Sequence, residues 1–388
     1  MPTTATRSTE RHETVLSHPI PLPVLEAAVH GAVELEQRGG GFAPRRLPVA
    51  SRPFHAFDDL WRMASHTSGV SLRLSTAASR IELELLFQRE VAIGREAATH
   101  RAVLVVETPD GSQLISLDEG DLLFERSDRT AELRPGSPSR VVLELGRSEL
   151  RPATIWLPNA AGVTILSASA DAPVSARAAS ESRWTHYGSS ISHGSDLDDP
   201  RRPWPVQAAR ELGLDLTNIG LAGNAMLDPF VARAIAKLDA DLITLKIGIN
   251  LVNADAMRSR TFVPAVHGFL DRVREGHPTT PVVVISALGC GIHEQTPGPT
   301  REVSPGKAGG TPRETRANDG TLTLERTRTD LAFVVAARAD PNLTLLNGLE
   351  LLAVDESNLL PDNLHPSEDG HDLIARRFAR KMRDLALG

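Results

Sequence analysis

A chain of 388 residues exceeds one ordinary domain and can enclose two sizeable cores, and its 41% apolar and 23% charged content is that of a soluble globular protein. The net charge of -7, without any long basic block, argues against a nucleic-acid partner, which would call for a basic face. The single cysteine, Cys290, excludes an intrachain disulfide and a cysteine-based metal cluster, and no stretch has the length and apolarity of a membrane span.

Residues 1–20 read as a disordered tail. Met1 to Glu13 is polar and lacks the apolar centre of a secretory signal, so a cytoplasmic location is expected. From 21 to 178 the apolar segments are short and alternate with polar residues, as in Arg80-Ile81-Glu82-Leu83-Glu84-Leu85 and Arg140-Val141-Val142-Leu143-Glu144-Leu145. Turn signals such as Pro109-Asp110-Gly111 and Arg134-Pro135-Gly136 separate them. The reading is an antiparallel, jelly-roll-like β-sandwich domain.

The texture changes between residues 175 and 182, and 179–388 form a second domain. Buried strands are predicted at Leu214–Ile219, Leu242–Ile247, Val282–Ala287 and Leu343–Leu346, after a first strand that ends before Gly188. Helical patterns at Val206–Leu212, Phe230–Leu238 and Phe262–Arg274 alternate with them, which indicates an α/β domain with a parallel sheet. A last helix is predicted from Pro366 or Ser367 towards Leu385. Gly289 to Asp319 is rich in proline and glycine, and reads either as an active-site flap or as a surface insertion.

In a parallel sheet, the residues that converge are those just beyond the carboxyl ends of the strands. Four pieces fall there or before the final helix: Gly188-Ser189-Ser190-Ile191-Ser192, Asn218 to Gly223, Gly248-Ile249-Asn250, and Asp362-Asn363-Leu364-His365. A serine hydroxyl becomes a useful nucleophile only beside a base whose tautomer is fixed by a third group. His365 can be that base for Ser190, and Asp362 the group that orients it. The candidate oxyanion donors are the backbone N–H groups of Ser190 and Gly223 and the side-chain amide of Asn250.

These blocks resemble the SGNH, or GDSL-type, hydrolases, which supply serine, glycine, asparagine and histidine in this order over about residues 183 to 386. The resemblance implies Ser190 as nucleophile, Gly223 and Asn250 at the oxyanion, Asp362 and His365 in the last block, and no cofactor or metal. It also implies a flavodoxin-like three-layer α/β/α domain with strand order 2-1-3-4-5. Two residues depart from the pattern: Ser189 stands for the first block's aspartate, and Leu251 for an aspartate that often follows the third block's asparagine. The N-terminal half is similar to the β-sandwich that precedes some bacterial SGNH esterases, and the whole layout resembles SGNH acyltransferases that tailor polyketides, salicylyl-transferring ones included.

The implied activity is cleavage of a carboxylic ester or thioester through an acyl-Ser190 intermediate. The partners are a small-molecule acyl donor and water. The alternative is O-acyl transfer, from a thioester such as acyl-CoA to an alcohol on a natural product. A non-catalytic carbohydrate-binding protein is a third reading, supported only by Ser189 and Leu251. An α/β-hydrolase is disfavoured because Ser192 occupies the last glycine of Gly-x-Ser-x-Gly. His186 and His193 are rival bases, His293 is a candidate substrate contact, and Cys290 reads as a buried thiol rather than a nucleophile. Oligomeric state is not readable from the sequence.

Overall fold

The computed structural model describes residues 16–55, 57–91, 102–126, 130–146, 149–180, 182–312 and 319–386. In the N-terminal half, two sheets of eight and six strands bury one apolar cluster between them, including Leu72 and Leu74 from one sheet and Ile81, Leu83, Leu85 and Phe87 from the other. Arg80–Val91 alternates buried and half-buried residues along its whole length. Its antiparallel partners are Ala161–Ala170 and Ser139–Glu144, with Leu83 opposite Val141, so both segments marked by alternation in the sequence lie side by side. Pro109-Asp110-Gly111 turns the Ala102–Thr108 and Gly111–Leu117 hairpin.

Two features differ from the sequence reading. Residues 1–15 lie outside the described residues, but His18 and Pro19 already pair with Ala170 and Ser169, and Ile20 N–H donates to Ala168 O at 2.8 Å. The ordered sheet therefore starts before residue 21. Not every strand pair is antiparallel, because Asp121–Glu125 runs parallel to Gln88–Val91. The chain between them visits the other sheet as a hairpin and returns in its original direction.

The C-terminal half carries a parallel sheet of Arg183–Gly188, Asp215–Gly220, Leu242–Lys246, Val282–Ile285 and Leu343–Leu346. Its spatial order is 2-1-3-4-5, as the resemblance implies. Leu242–Lys246 and Val282–Ile285 are buried throughout, as strands with both faces covered must be. Helices occupy Trp204–Leu212, Pro229–Ile235, Ser259–Gly276, Leu324–Arg338 and Glu368–Asp384. The last is capped by Ser367, whose hydroxyl accepts from Gly370 N–H at 3.3 Å, with Glu368 and Asp369 in its first turn and Lys381 and Arg383 in its last, both complementing the helix dipole.

Leu324–Arg338 is absent from the predicted helices for a physical reason. Its buried face includes Thr327 and Asp330, and Asp330 accepts from the Ser259 hydroxyl at 2.6 Å. Polar residues on the inward stripe break the apolar period on which sequence reading depends.

The two halves are joined by apolar packing. Leu47, Leu60, Ala64, Val105 and Trp156 belong to the same buried cluster as Trp184, Tyr187 and Ile219. No described helix is long and apolar enough to cross a membrane.

Candidate active site

At the end of the first parallel strand, Ser190–His193 form one helical turn, closed by Gly194 in the left-handed conformation with its N–H on Ser190 O at 2.7 Å. The second strand passes so close that a β-carbon on Gly220 would lie 2.5 Å from the His193 nitrogen, which only glycine avoids. The turn points Ser190 towards the loop before the last helix. There Ser190 Oγ and His365 Nε2 are 2.9 Å apart, and His365 Nδ1 and Asp362 Oδ2 are 2.6 Å apart.

Asp362 is immobilised by its own loop, since Oδ1 accepts the N–H groups of Leu364 at 2.8 Å and His365 at 2.6 Å. Burial alone would raise its pKa. The hydrogen bonds from the His365 ring and these backbone groups outweigh that and hold the carboxyl down to about 2. The same balance acts in reverse on His365. Burial disfavours its charged form, but the Asp362 hydrogen bond and the negative charges of Asp196 and Asp362 raise its pKa above the usual imidazole value. The Nδ1–H is thus directed to Asp362, leaving Nε2 as the lone pair that faces Ser190.

The expected oxyanion donors are also free. Among the described residues, neither Ser190 N–H, Gly223 N–H nor the Asn250 amide nitrogen has an intramolecular hydrogen-bond partner. Asn250 is buried, and its Oδ1 accepts Ala225 N–H at 3.0 Å, which fixes the amide so that only its NH2 group remains to donate. Gly223 takes φ +70°, a conformation in which a side chain would be strained.

The two departures from the family pattern have structural replacements. Ser189 Oγ accepts from Lys246 Nζ at 3.4 Å, and burial lowers that ammonium to about 8. Leu251 is fully buried in the apolar cluster. Asn250 is oriented by the Ala225 backbone instead of by a neighbouring carboxylate.

Both rival histidines are occupied elsewhere. His186 is fully buried, with Nδ1 at 2.6 Å from Thr244 Oγ1 and Nε2 at 2.7 Å from Ser192 Oγ. Trp184 Nε1 donates to the same Thr244 oxygen at 2.8 Å, so the threonine hydrogen is best spent on His186 Nδ1, and Nε2–H then donates to Ser192. His193 is also buried and sits 2.8 Å from Asn159 O. Desolvation drives both well below the ordinary pKa, so they stay neutral. His293 is buried, and its ring nitrogens lie 3.0 Å from Thr296 O and 2.7 Å from Thr300 Oγ1 within the insertion. Cys290 is a buried thiol pushed up to about 12 by burial and by the charge of Glu294, donating to Asn363 O at 3.3 Å.

The described part of the insertion, 289–312 and 319, is tied to the site. Its Arg301–Ser304 and Lys307–Gly309 hairpin places Ala308 N–H on Asp362 O at 2.8 Å, and Ala308 O accepts from Asn363 Nδ2 at 3.1 Å. Lys307 Nζ donates to Pro361 O. An open groove of about 340 Å³ runs between this hairpin and Asp362.

Residues of the N-terminal half, which the sequence reading did not place in the site, brace it from behind. Arg46, fully buried, donates to four carbonyls: His66 O at 2.6 Å and Met63 O within its own domain, and Asn218 O at 3.1 Å and Gly220 O at 2.5 Å on the strand that leads to Gly223. Ser68 Oγ donates to His193 O at 2.5 Å and accepts from Asn218 Nδ2 at 3.1 Å. No short-range sequence signal marks these residues, because each contacts a partner more than a hundred positions away.

Residues 186–373 match the family described as GDSL-like lipase/acylhydrolase. No curated protein sequence matches the chain. Among solved structures, a salicylyl-acyltransferase, SsfX3, from a tetracycline biosynthetic pathway is similar with a TM-score of 0.76 at 23% identity, over 92% of this chain and 94% of that one. A putative GDSL-like lipase from Bacteroides ovatus gives a TM-score of 0.66 at 17% identity over 95% and 97%. A family two carbohydrate esterase from Clostridium thermocellum, solved with cellohexaose, gives 0.60 at 12% identity over 92% and 99%. These structures share the fold across both halves, and residues 186–373 are identified as a GDSL-like lipase/acylhydrolase domain.

Proposed function

We propose that the chain is a serine-dependent acyl-transfer enzyme that cleaves a carboxylic ester or thioester through an acyl-Ser190 intermediate. The observation that carries this reading is the continuous Ser190–His365–Asp362 hydrogen-bonded series beside three N–H donors without a partner among the described residues. His365 Nε2 takes the Ser190 proton as Oγ attacks the acyl carbonyl, and Asp362 stabilises the imidazolium. Ser190 N–H, Gly223 N–H and Asn250 Nδ2 receive the oxyanion. Collapse expels the leaving group, which takes the proton from His365. Water or an alcohol then gives its proton to His365 and attacks the acyl-enzyme, and the proton finally returns to Ser190.

Two acceptors fit this cycle. With water the protein is an esterase. An O-acyltransferase, moving the acyl group from a thioester to a natural-product hydroxyl, is favoured by the whole-chain similarity to a salicylyl-acyltransferase. Intact mass spectrometry after brief exposure to acyl esters and acyl thioesters, followed by competing alcohols, tests both. An adduct on wild type but not on Ser190→Ala is expected. Its absence with every donor would remove the acyl-enzyme, and discharge unaffected by any alcohol would remove the transferase.

Asn250→Ala is expected to lower kcat by roughly 100-fold, since one oxyanion donor is lost. Steady-state kinetics against wild type check this. The pH dependence follows from His365. The active form is neutral, so kcat/KM rises with pH through an apparent pKa above the usual imidazole value and falls as acid protonates the ring. Asp362, at about 2, remains ionised throughout that range.

A further inference from the structure

A second carboxylate approaches the same imidazole nitrogen. Asp196 Oδ2 lies 3.7 Å from His365 Nδ1, on the opposite side of the site in sequence, from the loop that follows the Ser190 turn. The loop is pinned at that point: Leu197 N–H donates to Gly194 O at 3.1 Å, and Leu197 O accepts from Asn159 Nδ2 at 3.3 Å. The Asp196 side chain itself is 63% exposed and makes no hydrogen bond among the described residues. A displacement of about 1 Å would bring it to hydrogen-bond distance of Nδ1. Asp362 has no such freedom, since its other oxygen is locked by two backbone N–H groups.

We propose that Asp196 is a positioning residue for His365: a solvent-side carboxylate that stabilises the imidazolium alongside Asp362 and accepts the Nδ1 proton when Asp362 cannot. This rests on the acyl-transfer reading, in which His365 must pass through its charged form. The other groups acting on the ring do not duplicate the role. Lys246 opposes it by charge repulsion, and the neighbouring His371 is kept neutral by burial. Because Asp196 is exposed, its effect is a partly screened Coulomb attraction, smaller than that of Asp362 and weakened by salt.

The test compares wild type, Asp196→Asn, Asp362→Asn and the double variant in the full chain, with an acetyl ester of p-nitrophenol as probe. Asp196→Asn is expected to fold as wild type, to move the acid limb of kcat/KM to lower pH by about half a unit at low ionic strength, and to lower the plateau by a few-fold. Added salt should shrink the difference. In the Asp362→Asn background the same substitution should cost proportionally more, because the second carboxylate that the described residues bring to Nδ1 is then removed as well. The ring is also titrated by NMR, its signal assigned by loss in His365→Ala. A lower His365 pKa in Asp196→Asn without any esterase activity would keep the carboxylate pair while discarding the enzymatic reading. An unchanged titration and superimposable pH profiles would overturn the proposal, however active the enzyme proved.

Discussion

Ser190→Ala, and separately His365→Ala, should each reduce kcat by about 10⁴- to 10⁶-fold while leaving the fold unchanged. Removing Oγ deletes the atom that attacks, and removing the imidazole leaves a neutral hydroxyl without a base, so the double variant should be scarcely worse than either single one. Asp362→Asn should cost up to about 10⁴-fold, since an amide facing Nδ1 favours the wrong tautomer, which the more distant Asp196 restores only in part. The folding expectation is specific as well. Ser190 is only partly buried and, among the described residues, its hydroxyl bonds to His365 alone, whereas Asp362 also satisfies two backbone donors of its loop. Circular dichroism and thermal unfolding, measured beside the kinetics, check it. Wild-type turnover in His365→Ala would remove the assigned base and send attention back to His186 and His193, although both now have other partners.

Arg46→Met should destabilise the protein by about 3 to 5 kcal/mol and also impair catalysis from the far side of the domain boundary. The guanidinium is fully buried, forms no ion pair among the described residues, and is lowered to about 9 by desolvation. Its stability comes from carbonyls. Truncating it to an apolar chain strands acceptors at Met63, His66, Asn218 and Gly220, each costing about 1–3 kcal/mol if left without a donor, less what relaxation recovers. Two of those four lie on the strand that ends at the Gly223 loop, so kcat should fall by about tenfold even at temperatures where the variant remains folded, a loss consistent with a small misplacement of one oxyanion donor. Arg46→Lys keeps a charge but not the planar fork, and should recover only part of either quantity. Urea unfolding and kinetics on the same samples measure the two effects. A variant with wild-type stability would show that the four carbonyls find other donors, and that the N-terminal half does not hold the site through this residue.

Several further features were legible because their signals are local. The alternation in Arg80–Leu85 and Arg140–Leu145 set both strands on one buried cluster. The proline and glycine content of Gly289 to Asp319 identified an irregular segment but not its destination, because each bond that docks the hairpin on Pro361, Asp362 and Asn363 has on at least one side a backbone group that any residue carries. The burial of His293 is illegible for a similar reason: a histidine in a polar loop is indistinguishable by sequence from one that braces its own loop from within.

The blocks around Ser190, Gly223, Asn250 and His365, with the strand-and-helix rhythm between them, were set by the amino-acid sequence alone, since hydrophobic period and motif spacing are properties of short stretches. Tertiary structure alone decided which hydroxyl meets which ring, that Lys246 stands under Ser189, that Asp196 returns to His365, and that Arg46 reaches across to Asn218 and Gly220. Such pairings join positions tens to nearly two hundred residues apart, and their energies arise from burial and distance, quantities that exist only once the chain has closed on itself.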